Sequence, residues 1–426
     1  MTARWRRGDW ATWGGMVLAL LVCACASRHV AAESSGGAAL RVGTSGDYAP
    51  FSTRDADGRP SGFDVAVAER LARDLGRPLS IVSFQWPELV AQLRAAAFDV
   101  AMSGVTVRAD RAVVLRFTRP YAVAGAVVVV RAADATRFRR VADMNQPGVR
   151  VAVNAGGHLE RVARQHFPRA TVRPQRDNLA LPTALTDGTA DAVVSDVFEA
   201  RTWAGELLIL GPFTRDRKAY AVGPDAVELR PTIDAWLAAR EADGWLNEQR
   251  RRWLGAGAVW TPQDAAIEAL VAAIDLRLQL MPLVAAVKRR AGLPVEDPAQ
   301  EARVLERTRT AASTLGMDAD GVVAFFGLQI EVAKAVEHAT EAASGAATVG
   351  DEPSLETVRA AVAAVSDQLI DELARSAAWL GEPAARRRLE QALQTGLQAP
   401  AALSFVGRMA EAIHRVKPSA EQGPVR

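Results

Sequence analysis

The pattern of apolar residues changes character once along this 426-residue chain, and that change rules out a single fold for the whole of it. From Leu40 to about Leu254, short β-branched runs alternate with helical stretches, the pattern of an α/β domain. Strands are expected at 40–44, 79–82, 100–102, 126–130, 149–153 and 192–194, with helices at 63–75 and 87–97. From Thr261 onward no β-branched alternation survives, and Ala, Leu, Arg and Glu recur at helical spacing through several long segments. Gly255-Ala256-Gly257-Ala258 marks the joint, and Thr261-Pro262 reads as a helix cap followed by the first helical residue. The expected division is therefore an α/β domain over 40–256, an all-α domain over 262–418 and a flexible tail over 419–426. Residues 344–353 form a second break, between helices.

Ahead of the first strand, Arg4, Arg6 and Arg7 precede an apolar run at 14–24, and Ala24-Cys25-Ala26 offers small residues for cleavage. Residues 1–26 thus read as a secretory signal and 27–39 as a spacer. The apolar run of about eleven residues falls short of the roughly 20 that a membrane-spanning helix needs, so no stable membrane insertion is expected after cleavage. A retained anchor is the alternative, and a variant of the secreted reading makes Cys25 a lipidated first residue. Both cysteines, Cys23 and Cys25, lie inside this segment, which leaves a mature periplasmic or secreted protein with no thiol and no disulfide. Lys and Arg total 51 against 49 for Asp and Glu, so no global field favours nucleic acid or a membrane surface. The five histidines, His29, His158, His166, His338 and His414, are scattered without metal-ligand spacing.

Three loops in the first half follow strands, where open α/β sheets bind their ligands. Gly43-Thr44-Ser45-Gly46-Asp47-Tyr48-Ala49-Pro50-Phe51-Ser52 is tight, polar and aromatic; Met102-Ser103-Gly104-Val105-Thr106 is followed by Arg111, a residue suited to gripping a carboxylate. Asn154-Ala155-Gly156-Gly157-His158 sits between a strand and a helix, where free N–H groups favour an anion, although glycines needed only for a turn explain it equally well. No dinucleotide-binding glycine pattern and no phosphate-binding loop occurs.

These loops, together with Phe84-Gln85-Trp86-Pro87, Asp177-Asn178, Ser195-Asp196-Val197-Phe198-Glu199-Ala200-Arg201 and Lys218-Ala219-Tyr220, resemble those of the periplasmic cyclohexadienyl dehydratases, built on the type 2 solute-binding fold. The resemblance implies two lobes, one formed by 40–131 and 222–256 and the other by 132–221, with crossovers near Arg131 and Val222. It implies that Glu199 is the general acid, protonating the departing C4 hydroxyl of prephenate as carbon dioxide leaves. Burial beside apolar groups such as Trp86 would keep Glu199 neutral for that task. Arg111 would hold a substrate carboxylate, while Asp47, Ser103, Thr106, Asn154, Gly156, Asp196 and Lys218 would line the cleft. Thr53 and His158 depart from the family pattern, which leaves arogenate as an alternative substrate.

In the second half, Arg277 and Lys288 are eleven residues apart, close to three helical turns, so both cations project from one face. A solvated face gives the same spacing. The Leu293-to-Glu301 connection and Phe326-Gly327-Leu328-Gln329-Ile330-Glu331 with Lys334 and Glu337 make the segment similar to the secreted subclass of all-helical, AroQ-type chorismate mutases. That resemblance implies that Arg277 and Arg359 bind the substrate's carboxylates, that Lys288 and Glu337 reach its ether oxygen, and that Asp297 and Glu301 face its hydroxyl side. Gln300 stands where the family usually places an arginine, and Arg303, one turn later, is the candidate replacement.

Two functional classes compete. One is a bifunctional enzyme of phenylalanine biosynthesis that takes chorismate to prephenate and prephenate to phenylpyruvate, with small acids as its only partners and no cofactor, alone or as a homodimer. The other is a receptor for an amino or keto acid carrying a helical partner-binding domain.

Overall fold

The structure is a computed structural model that describes residues 38–343 and 353–419. The signal segment with Cys23 and Cys25, most of the 344–353 break and residues 420–426 lie outside the described residues. Two five-stranded sheets form the α/β half. In the first, Leu79–Ser83, Leu40–Thr44 and Val100–Ala101 run parallel, and Ala221–Val222 pairs antiparallel with both Val100–Ala101 and Arg116–Phe117. In the second, Thr171–Gln175, Arg150–Asn154 and Ala192–Asp196 run parallel, while Ala126–Arg131 and Leu207–Leu210 complete it antiparallel. Strand Ala192–Asp196 is buried at every position and runs two polar residues, Ser195 and Asp196, beyond the stretch expected from its apolar residues.

The first crossover falls earlier than the sequence suggested. Ala126–Arg131 hydrogen-bonds to Ala192–Asp196 and Leu207–Leu210, so it belongs to the second lobe, and the chain changes lobes between Phe117 and Ala126 rather than near Arg131. An apolar run looks the same whichever sheet it joins, which is why periodicity placed the strand but not its partners. A short antiparallel ribbon of Ala122–Ala124 and Asp216–Lys218 connects the lobes at this point.

Helix Pro262–Gln279 opens the all-α half with a capping box: the Asp264 N–H donates to the Thr261 hydroxyl at 3.1 Å, and the Thr261 N–H donates to the Asp264 carboxylate at 3.2 Å. Met281–Arg290, Pro298–Thr314, Ala319–Ala343, Leu355–Leu380, Pro383–Gly396 and Val406–His414 follow. The run 262–290 is apolar and long enough to cross a bilayer, but its most apolar 18-residue stretch is 78% buried inside the protein, as the central helix of a bundle would be. Phe84, Leu89, Phe98, Leu115 and Phe117 of the first lobe share one continuous core with Ile267, Leu270, Ile274 and Phe325 of the bundle. The second lobe has two cores of its own, and its Phe198 packs into the first lobe's core, with its ring centroid 5.9 Å from that of Phe51. First lobe and bundle are thus one packed body, with the second lobe attached through the ribbon.

Candidate active sites in the cleft and in the bundle

Between the lobes, Tyr48, Trp86, Thr106 and Arg111 from one side face Asn154, His158, Asn178 and Glu199 from the other, with Lys218 of the ribbon between them. The free space is about 30 Å³, the room of one water molecule, so the lobes are nearly closed upon each other. Glu199 enters this space because strand Ala192–Asp196 turns directly into the short helix Val197–Ala200, whose start is capped by the Asp196 carboxylate accepting from the Phe198 N–H at 2.9 Å.

Glu199 is 3% exposed, and its two oxygens accept from Asn178 Nδ2 at 2.5 Å and from the Ser195 hydroxyl at 2.6 Å. Burial pushes its pKa up to about 8; the two hydrogen bonds oppose that, and the charges of Asp196 and Asp47 reinforce it. The nearby cation does not counter it, because Lys218 Nζ lies 3.0 Å from Asp196 and donates to Tyr48 Oη and Thr106 Oγ1 at 3.1 and 3.0 Å. Burial therefore favours the protonated form of Glu199. Across the cleft, Arg111 is buried, its pKa is lowered to about 10 by desolvation and by Arg108, and its Nη1 has no hydrogen-bond partner. An acid and an unsatisfied guanidinium facing one small space suit an anion that leaves a hydroxyl behind.

Three of the residues expected to line the cleft do other work. The Gly156 N–H donates to Glu160 at 2.7 Å and is not free for an anion; Gly156 has φ +71°, and a Cβ there would stand 2.7 Å from Pro87 Cγ of the opposite lobe. Its job is close approach. Ser103 is fully buried beneath the cleft, bonded to the hydroxyls of Ser45 and Ser52 at 2.9 and 2.7 Å, and supports the Thr44-to-Ser52 loop instead of touching a ligand. Asp196 holds Lys218 and caps a helix, and so acts through them. Asp47 contributes its carbonyl, which accepts from Asn178 Nδ2 at 2.9 Å, while its Oδ1 is buried without a partner. His158, an unexpected residue at its position, lines the cleft with Nε2 3.0 Å from Asp216, and Thr53 does not line it.

The bundle holds a larger cavity of about 280 Å³ bordered by Arg277, Lys288, Asp297, Gln300, Glu301, Arg303, Glu337 and Arg359. Arg277 is buried, its described partners are neutral oxygens, the Gln329 carbonyl at 3.0 Å and the Ser366 hydroxyl at 3.4 Å, and desolvation brings its pKa down to about 10. Lys288 Nζ donates to Glu337 at 2.9 Å and to the Val295 carbonyl at 2.7 Å. Burial raises the Glu337 pKa against the opposing pull of Lys288. Asp297 caps helix Pro298–Thr314 and accepts from Arg359 Nη2 at 2.7 Å, and Glu301 pairs with Lys334 at 3.2 Å. The Gln300 amide oxygen accepts from Arg303 at 2.8 and 3.2 Å, so Gln300 positions the guanidinium at the cavity wall.

Residues 40–256 match the bacterial extracellular solute-binding proteins, family 3, across half of the chain. The chain belongs to that family. Within it, the solute-binding domain is 36% identical over 221 residues to the cyclohexadienyl dehydratase of Pseudomonas aeruginosa, covering 50% of this chain and 82% of that protein. It is also 38% identical over 225 residues to a probable amino-acid ABC transporter-binding protein of Haemophilus influenzae, covering 51% of this chain and 84% of the relative. A solved ancestral amino acid-binding protein, described as a precursor of cyclohexadienyl dehydratase, superposes with TM-score 0.50 at 32% identity over 51% of this chain and 96% of its own. Residues 264–338 match chorismate mutase type II, so a mutase domain is fused behind the solute-binding domain.

Residues with no role assigned from the sequence complete both sites. Asn178 and Ser195 hold Glu199 from positions 21 and four residues away; Asn178 was visible only as part of the family resemblance. In the bundle, Arg307 and Ser366 line the cavity, and Arg307, one turn beyond Arg303, was detectable as a further cation at helical spacing.

Proposed function

We propose that the chain is a secreted, bifunctional enzyme that converts chorismate to prephenate in the bundle and prephenate to phenylpyruvate in the cleft. The observation that carries this reading is Glu199, a buried carboxyl with no cation paired to it among the described residues, opposite the unsatisfied Arg111. In the cleft, Arg111 grips a substrate carboxylate and Glu199 donates its proton to the C4 hydroxyl, which departs as water. The bond from the ring to the other carboxylate breaks at the same time, carbon dioxide leaves, and its electron pair enters the ring. Aromatisation drives the step. Ser195 suits both states of Glu199, since a hydroxyl donates to the carboxylate and accepts from the acid.

In the bundle no covalent participation is required. Arg277, Arg303 and Arg359, which line one cavity, hold the two carboxylates of a compact conformer, and Lys288 with protonated Glu337 stabilises charge on the ether oxygen as the side chain migrates. Arogenate, with an ammonium in place of the keto group, is a second substrate for the cleft.

Incubating purified protein with chorismate and reading phenylpyruvate absorbance in alkali tests both halves at once. Phenylpyruvate formation is the expected result. Prephenate accumulating alone leaves only the mutase, and tight binding without turnover supports an amino-acid receptor of the kind the Haemophilus relative is named for.

A further inference from the structure

Two buried arginines, one within the ribbon that joins the lobes and one just ahead of it, are held by the bundle. Arg217 is the middle residue of strand Asp216–Lys218 and is 4% exposed. Strand alternation sends Lys218 and Asp216 to the cleft, where they meet Asp196 and His158, and sends Arg217 the opposite way. There its guanidinium donates to Glu268 at 2.7 Å, to Asp275 at 2.6 Å and to the Gly396 carbonyl at 2.9 Å. Arg215, one step earlier on the same side, donates to Glu268 at 2.6 Å. Arg119 precedes the other ribbon strand, and its Nη1 lies 3.6 Å from Glu372 of helix Leu355–Leu380, with both groups buried. The backbone N–H of Arg119 is fixed by Asp234 at 2.6 Å.

The carboxylates come from the two helices that also build the bundle cavity. Helix Pro262–Gln279 supplies Glu268, Asp275 and the cavity residue Arg277, while helix Leu355–Leu380 supplies Glu372 along with Arg359 and Ser366. Burying so many charges between two domains needs near-complete pairing, and Arg217 achieves it with every carboxylate drawn from the bundle.

We infer that the bundle clamps the inter-lobe ribbon through Arg217 and Arg119, and that Arg217 is a positioning residue for the cleft reaction, setting Lys218 and Asp216 in place. The hinge strands are tied to a second domain, so the geometry around Glu199 depends on contacts more than 50 residues away in sequence from the ribbon. This inference rests on the cleft being a dehydratase only where activity is the readout.

The test uses the full-length chain with Arg217→Lys and Glu268→Gln, which keep size while removing one arm of the clamp, and Arg217→Met as the severe case. Hydrogen exchange over residues 214–222 should quicken, with exchange in helix Ala319–Ala343 unchanged. The kcat for prephenate dehydration should fall by about a hundredfold in Arg217→Met, as expected when a catalytic group is misplaced by about an ångström, and largely recover in Arg217→Lys. Chorismate turnover, which uses none of these side chains, should stay within about twofold in Glu268→Gln and so reports an intact fold. Unchanged exchange over 214–222, or loss of both activities in parallel with melting temperature, overturns the clamp. If the unaltered protein fails to turn over prephenate, the dehydratase reading fails, and the exchange measurement alone still decides whether the clamp exists.

Discussion

Glu199 illustrates how one residue's surroundings fix its chemistry. A carboxyl with an ordinary pKa of 4.5 is raised to about 8, mainly because burial disfavours its charged form. Dehydration should therefore be flat through neutral pH and fall as pH rises through about 8, which a kcat profile measures directly. Glu199→Gln should lower dehydration by about 10² to 10⁴ and leave chorismate turnover intact. The stability consequence has a definite sign: the native state holds the Glu199 proton more tightly than the unfolded chain, so stability is lost as pH rises from about 4.5 through about 8. Melting temperatures of Glu199→Gln and the unaltered protein should thus diverge across that window, with the variant the more stable at its alkaline end. In the bundle, Arg303 is held by Gln300 at the cavity wall. Arg303→Ala should reduce kcat/KM for chorismate by about tenfold or more without touching dehydration, as the loss of a charge-assisted contact predicts. Indifference to both Arg303→Ala and Gln300→Arg would remove Arg303 from the site.

At the scale of elements, the loop before helix His158–His166 shows where the lobes meet. Any side chain at position 156 drives into Pro87 and forces a left-handed backbone to carry a Cβ. Gly156→Ala should hold the lobes apart, raising KM for prephenate more than it lowers kcat, at a stability loss of about 1–3 kcal/mol by denaturant titration. This role was not legible in the sequence, because an Asn-Ala-Gly-Gly-His turn before a helix looks the same whether its amides bind an anion or its glycines admit a neighbour. The elements themselves were legible: β-branched runs marked Leu40–Thr44 and residues 192–194, and Thr261-Pro262 marked a helix start that the capping box with Asp264 then displays. What the one-dimensional pattern lacks is pairing. It located 126–130 but not the sheet it joins; Glu199 and Asn178 both entered through the family resemblance, which did not show the contact between them across two loops.

For the whole molecule, the shared core between the first lobe and the bundle makes the two halves a single packed body. Leu89, Leu115 and Phe117 complete a core with Leu270, Ile274 and Phe325, and each such side chain contributes about 1.5–3 kcal/mol on burial. A chain truncated after Ala258 should therefore expose an apolar face, with Arg217 stripped of its carboxylates. It should aggregate, or melt well below the full-length protein, by light scattering and calorimetry. A truncated form as stable as the parent would mean that the interface is dispensable.

The interior place of Ala221–Val222 in the first sheet, between Val100–Ala101 and Arg116–Phe117, also orders the assembly of the chain in time. Everything needed for the second sheet lies within one stretch from Ala126 to Leu210, so it can close while later residues are still being synthesised. The first sheet has to wait for a strand more than a hundred residues downstream of its neighbours, leaving Val100–Ala101 and Arg116–Phe117 unbridged in the interval. A ribosome stalled just short of that strand would display a finished second lobe beside an amino-terminal segment still sensitive to protease.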